Sequence, residues 1–196
     1  IVIACNTASA VALPALTEAY APIPVVGVVE PGARAAVAAS QSGVIAVIAT
    51  EGTVRGGAYM RAIRALDSQA QVVQRACPLF VALAEEGWTS GPVPELAATR
   101  YLEDIFGGFD RPDTLVLGCT HFPVLAGPIA KAAGNGVVLV DSAATTALEV
   151  ARLLDERGLR RREAPQPPAF LATDAPERFA RVGGAEPLRC GETPAV

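Results

Sequence analysis

Short apolar runs alternate with longer segments of helix-compatible composition along the chain. Short apolar runs bounded by turn residues are typical of strands, and longer amphipathic segments of helices. Strands are predicted at 1–4, 25–29, 44–49, 71–75, 115–117, 137–140 and 169–173. Helices are predicted at 8–20, 33–40, 54–66, 77–86, 95–106, 126–133, 143–157 and 176–182. This alternation predicts an α/β fold with mainly parallel sheets flanked by helices.

Turn and capping residues mark where several of these elements begin or end. The Glu-Pro-Gly sequence at 30–32 predicts a turn before the second helix. The hydroxyls of Thr50 and Thr53, at the end of the strand at 44–49, could reach a ligand or cap the helix at 54–66, and one of the two is expected to be a cap. Ser142 is expected to cap the helix that ends near residue 157.

Two strands end in a cysteine that is followed by polar residues. Cys5 follows the first strand, and Cys119 follows the strand at 115–117. Ligands of open α/β sheets collect beyond the carboxyl ends of the strands. The N-terminus of a following helix binds carboxylates and lowers a thiol pKa from its usual value of about 8.5. The matched pair indicates thiol acid/base chemistry on an anionic substrate. The alternative for a single cysteine is packing as a small apolar residue.

Both cysteine motifs resemble those of a known enzyme family. The segments 5–9 (Cys-Asn-Thr-Ala-Ser) and 118–123 (Gly-Cys-Thr-His-Phe-Pro) are similar to the two signatures of the aspartate/glutamate racemase superfamily, and most similar to the glutamate racemases. The resemblance continues through 26–32, 49–54, 76–81 and 141–143. It implies two similar lobes with the active site between them. The first lobe would combine residues 1–29 and 141–196, and the second would span 30–140.

The family pattern also has an earlier segment with an Asp-Ser-Gly motif and a Tyr-Gly loop, and neither is found in this sequence. We therefore expect a member truncated at its N-terminus, with an incomplete first lobe and little or no activity on its own.

The activity implied by the resemblance is cofactor-independent interconversion of L-glutamate and D-glutamate, which supplies D-glutamate for peptidoglycan synthesis. Inverting an α-carbon requires a base on one face and an acid on the other, roles that Cys5 and Cys119 would exchange. Pyridoxal phosphate is not expected, since the only lysine, Lys131, falls on a helix face. The residues that match substrate-binding positions of the family are Asn6, Thr7, Thr120 and His121. Glu85 and Thr53 are expected as accessory residues.

Other interpretations remain open at this point. An aspartate racemase is the nearest rival, but its second motif characteristically carries an acidic residue where this chain has His121. A hydantoin racemase is disfavoured on the same ground. A non-catalytic ligand-binding remnant is the non-enzyme alternative. His121 could orient or protonate Cys119, or simply cap its helix.

Composition narrows the classes of partner. The chain has 196 residues, 51% of them hydrophobic and 18% charged, as in a globular protein of one or two small domains. Its net charge of -4 and the lack of a basic patch argue against nucleic acid as a binding partner.

No apolar run reaches the roughly 18 residues of a membrane span, so a cytoplasmic location is expected. Four cysteines without metal-ligand spacing, and one histidine, predict free thiols and no metal. The expected small-molecule partner is glutamate, and assembly into a homodimer is possible.

Overall fold

The computed structural model describes residues 1–164, 166, 169–175, 177, 179 and 180. Its strands are β1 Val2–Ile3, β2 Val26–Gly27, β3 Val44–Ala49, β4 Gln71–Ala76, β5 Thr114–Gly118 and β6 Val138–Asp141. Its helices are α1 Asn6–Ala19, α2 Val29–Ala39, α3 Glu51–Gly56, α4 Ala58–Leu66, α5 Pro78–Glu85, α6 Pro92–Phe106, α7 Ala126–Ala133 and α8 Ser142–Glu156, with a 3-10 helix at Phe122–Leu125.

The strands form two separate parallel sheets. One pairs β1 with β2, and the other has the order β4-β3-β5-β6. Successive side chains of a strand point to opposite faces. Ile48 and Leu117 of the larger sheet therefore pack with α5, α6 and α7, whereas Val47 and Val116 pack with α2 and α4. The predicted α/β fold with parallel sheets flanked by helices is confirmed.

The two sheets fall in different parts of the chain. The smaller sheet lies within residues 1–29 and the larger within 44–141, while α8 packs against α2 and β2. The boundaries of the two lobes stay a prediction. No helix in the described part of the chain is long and apolar enough to cross a membrane.

The turn predicted at 30–32 is wrong, because these residues lie in the first turns of α2, and the strand expected over 25–29 shortens to Val26–Gly27. Pro31 is tolerated there since the first N–H groups of a helix have no intrahelical partner. A Cβ at Gly32 would lie 3.1 Å from the hydroxyl of Tyr59, so a side chain here would press on the phenol.

The helix predicted at 54–66 is two helices. Gly57 adopts a left-handed conformation with φ of 61° and separates α3 from α4. Glycine accepts this conformation without the steric cost that a side chain brings. Thr50 caps α3, because its hydroxyl accepts a 3.3 Å hydrogen bond from the backbone N–H of Thr53. The expected capping by one of the two threonines is confirmed.

The prediction that Ser142 caps the last helix is wrong. Asp141 occupies the cap position, and its carboxylate accepts a 2.7 Å hydrogen bond from the N–H of Ala143. A carboxylate is favoured there because it also meets the positive end of the helix dipole.

The strand predicted at 169–173 is also wrong, since these residues form no regular structure. Residues 177, 179 and 180 of the helix predicted at 176–182 are helical, and its other residues lie outside the described part of the chain, as does Cys190.

Candidate active site

Cys5 and Cys119 occupy matching places in the two sheets. Cys5 follows β1 and is the residue that precedes α1, and Cys119 follows β5 shortly before the 3-10 helix. Both thereby stand at the carboxyl ends of parallel strands, where the sequence predicted them. They differ in exposure: Cys5 is exposed, whereas Cys119 is only 6% exposed.

The environment of Cys119 favours the neutral thiol. Burial raises the pKa of Cys119, backbone and side-chain hydrogen bonds from His121 and Thr120 lower it, and the charge of Cys5 raises it, with a net shift upward. The expected lowering of this pKa by a helix N-terminus is therefore wrong for Cys119, because loss of hydration outweighs the local dipoles.

His121 connects Cys119 to Glu85. The sulfur of Cys119 lies 3.7 Å from Nδ1 of His121, and Nε2 of the same ring lies 2.9 Å from Oε1 of Glu85. The imidazole makes no capping hydrogen bond to the 3-10 helix, so the interpretation of His121 as a helix cap is wrong. Glu85, the last residue of α5, lies beside the second cysteine motif as expected.

Three threonine hydroxyls form a cluster beyond the end of β3. Thr7 Oγ1 lies 2.9 Å from Thr50 Oγ1 and 3.0 Å from Thr53 Oγ1, and the last two are 3.0 Å apart. The structure thus brings the accessory residue Thr53 to the substrate-binding candidate Thr7. Both roles considered for the threonines at this strand end, capping and contact with a ligand, are compatible with the position of Thr50.

The side chain of Asn6 is engaged within the protein. It is 2% exposed, its Oδ1 accepts a 2.7 Å hydrogen bond from Tyr59, and its Nδ2 donates to Oγ of Ser142 at 3.5 Å. What this residue can offer a ligand is its backbone N–H, because first-turn N–H groups of a helix lack intrahelical partners. No side chain caps α1.

A cleft of about 480 Å³ opens beside His121. Glu85, Thr120, His121 and Val124 are among the residues that line it, and Thr120 is exposed. Neither Cys5 nor Cys119 is among its lining residues, although Cys119 directly precedes Thr120. Among the described residues, no three His, Cys, Asp or Glu side chains cluster closely enough to hold a metal ion.

Known proteins share this sequence and architecture. A profile of the Asp/Glu/hydantoin racemase family matches residues 1–150. A glutamate racemase from Geobacter metallireducens is 50% identical over 184 residues, which make up 93% of this chain and 67% of that protein. The chain spans about two thirds of the length of such relatives.

Solved structures agree with the sequence comparison. The glutamate racemase isoform RacE1 from Bacillus anthracis superposes with a TM-score of 0.90 at 34% identity, covering 100% of this chain and 74% of that one. The glutamate racemase from Francisella tularensis in complex with D-glutamate superposes with a TM-score of 0.87 at 32% identity, covering 98% of this chain and 73% of that one.

Proposed function

This chain belongs to the Asp/Glu/hydantoin racemase family, and we propose that its protein interconverts L-glutamate and D-glutamate with Cys5 and Cys119 as the two bases. The observation that carries the proposal is the matching placement of Cys5 and Cys119, which directly follow the carboxyl ends of β1 and β5 in two different parallel sheets. Two thiols in this relation can approach one α-carbon from opposite sides. The relative from Francisella tularensis, which binds D-glutamate, supports glutamate as the substrate.

The reaction exchanges the protonation states of the two sulfurs. Following the family resemblance, the Cys5 thiolate takes the Cα proton of D-glutamate, and the Cys119 thiol delivers its proton to the opposite face of the resulting carbanion. L-glutamate leaves, with Cys5 now protonated and Cys119 a thiolate. Turnover of L-glutamate runs the same steps in reverse, so no proton is gained or lost overall.

His121 and Glu85 give Cys119 both of its roles. The raised pKa of Cys119 keeps the thiol protonated and ready to act as the acid. To act as the base, it must first lose its proton, and Nδ1 of His121 is the group in position to receive it. The carboxylate of Glu85 at Nε2 then stabilises the imidazolium.

Substrate recognition falls to the polar groups around the two cysteines. The free N–H groups at the start of α1, at Asn6 and Thr7, suit a carboxylate of the substrate. The hydroxyls of Thr7, Thr53 and Thr120 supply further hydrogen bonds. Thr50 joins this set because its hydroxyl belongs to the same cluster. A homodimer, a cytoplasmic location and supply of D-glutamate to peptidoglycan synthesis complete the proposal.

The proposed substrate is tested by circular dichroism on each pure enantiomer, using the protein as its gene encodes it and no added cofactor. Both glutamate enantiomers should decay to the racemate, and aspartate should react far more slowly. Treatment with a carbonyl reagent that removes pyridoxal phosphate should leave the rate unchanged. Preference for aspartate, or dependence on pyridoxal phosphate, would overturn the assignment.

A further inference from the structure

Tyr59 touches a neighbour of each cysteine. This residue of α4 is 0% exposed. Its hydroxyl donates a 2.7 Å hydrogen bond to Oδ1 of Asn6, the residue after Cys5. Its ring lies against Gly118, the residue before Cys119, since a Cβ at Gly118 would be 3.1 Å from Cε2 of the ring. One side chain therefore contacts the two segments that carry the thiols.

The hydrogen bonds continue from Tyr59 to the strand that ends at Cys119. The amide nitrogen of Asn6 donates to Oγ of Ser142 at 3.5 Å, and the hydroxyl of Ser142 donates to the carbonyl oxygen of Leu117 at 3.2 Å. Asn6 and Ser142 are 2% and 1% exposed, so water does not compete for these bonds. The path links the first turn of α1 with β5.

Packing leaves the phenol of Tyr59 little freedom. Its hydroxyl lies so near Gly32 of α2 that a Cβ there would be only 3.1 Å away. On the Gly118 side, a Cβ would also meet the carbonyl oxygen of Ile48 at 2.9 Å, so the ring lies against closely packed backbone. The hydroxyl that reaches Asn6 is thus held in place from several directions.

We infer that Tyr59 is a positioning residue. It holds the start of α1, which follows Cys5, in a fixed position relative to β5, the strand that precedes Cys119. This inference rests on the proposed racemisation by two thiols. A reaction with two bases requires both sulfurs to be aligned with one carbon, and a displacement of about 1 Å can lower a rate about a hundredfold.

The raised pKa of Tyr59 is consistent with a phenol that serves as a permanent hydrogen-bond donor. Burial raises the pKa of Tyr59 well above its ordinary value and outweighs the opposite effect of the nearby Ser142 hydroxyl, while the charges of Cys119 and Asp141 raise it further. The net shift is upward, so the phenol stays neutral throughout the pH range in which a racemase works. It can therefore donate to Asn6 without taking part in proton transfer.

The substitution Tyr59→Phe, in the protein as its gene encodes it, tests this role. Phenylalanine keeps the ring on Gly118 and removes only the donor to Asn6. We expect kcat to fall about tenfold to a hundredfold in both directions, with KM changed by less than about threefold. In deuterium oxide, exchange at Cα without inversion should increase relative to inversion, because one thiol still reaches the carbon while the other is displaced.

Tyr101→Phe is the matched control. Its hydroxyl accepts a 3.2 Å hydrogen bond from the N–H of Leu79, and its ring packs edge-on against Phe80 at 5.1 Å between centroids. Both variants lose one tyrosine hydroxyl from a packed site, so both should lose stability. Only Tyr59→Phe should lose kcat. An equal loss of kcat in the two variants, or an unchanged kcat in Tyr59→Phe, overturns the positioning role.

A second variant decides the case in which Tyr59→Phe does not fold. Ser142→Ala breaks the same path at its next link, and it should also lower kcat while leaving KM nearly unchanged. A normal kcat for folded Ser142→Ala contradicts the inference.

Wild-type protein that fails to racemise glutamate refutes the proposed function, and the inference falls with it. If the wild-type protein racemises glutamate, and Tyr59→Phe and Ser142→Ala do so at the same rate, only the positioning role is refuted.

Discussion

The carboxylate of Glu85 lies 2.9 Å from Nε2 of His121, on the side of the imidazole opposite Cys119. The two residues are 36 positions apart in the chain, and the end of α5 brings them together. A hydrogen bond from Nε2–H to this carboxylate leaves Nδ1 as the acceptor that faces the sulfur of Cys119. Glu85 therefore orients the imidazole toward the thiol.

Replacement of Glu85 by glutamine should lower kcat about tenfold to a hundredfold, because the amide cannot stabilise the imidazolium by its charge. The loss should be seen with L-glutamate, whose turnover requires the Cys119 thiolate. Circular dichroism at saturating substrate measures it. Glu103→Gln, which removes one carboxylate paired with Arg100 on α6, is the control and should be fully active. An unchanged kcat in Glu85→Gln would remove this carboxylate from the mechanism.

Substitution of either catalytic thiol should stop racemisation and leave exchange on one face. Cys119→Ser should still exchange the Cα proton of D-glutamate, and Cys5→Ser that of L-glutamate, since each sulfur serves one side of the carbon. Deuterium incorporation measured by NMR distinguishes the two. Cys77→Ala is the control, because Cys77 is buried in the core and donates to the carbonyl of Arg75 at 3.8 Å. Racemisation that survives in either serine variant excludes that cysteine as a base.

The Cys77 thiol should make stability fall at alkaline pH. Burial raises the pKa of Cys77 from 9.0 to about 12, with a smaller opposing effect of Arg75. Between these values the unfolded chain loses the proton and the folded protein keeps it, so the free energy of unfolding falls as pH rises. The slope contributed by this group is about 1.4 kcal/mol per pH unit. Urea unfolding at pH 8 and pH 10 should show a smaller decrease for Cys77→Ala than for wild type, and equal decreases would contradict the assignment.

Asp113 should contribute to stability without affecting activity. Its carboxylate accepts hydrogen bonds from the hydroxyl of Ser40 at 2.7 Å and from the N–H groups of Gln41 at 2.7 Å and Ser42 at 2.6 Å. Burial raises the pKa of Asp113, but these hydrogen bonds together lower it far below its ordinary value. Asp113→Asn should cost about 1–3 kcal/mol in urea unfolding at pH 7. Asp110→Asn, at an exposed position, should lower the free energy of unfolding much less. Similar decreases in both variants would show that the net charge, and not these hydrogen bonds, accounts for the loss of stability.

The fold class and both cysteines were predictable from the sequence because their signals are local. A strand such as β5 appears as a short apolar run, and a polar motif after Gly118 marks its carboxyl end. The position of Glu85 near the second motif came from the family resemblance. Element ends were less accurate: the proline and glycine of 30–32 suggested a turn, although a proline is equally suited to the first turn of a helix.

The contacts that assemble the site depended on the tertiary structure. Tyr59 and Asn6 are 53 residues apart, and no sequence pattern pairs a phenol with an amide over that distance. The hydroxyl cluster forms because α1 and α3 meet, which brings Thr7 to Thr50 and Thr53. Burial of Cys119, which reverses the pKa shift expected from its motif, likewise results from packing around β5. Local sequence determines which residues stand at the strand ends, whereas desolvation and long-range hydrogen bonds, set by the whole fold, determine their chemistry.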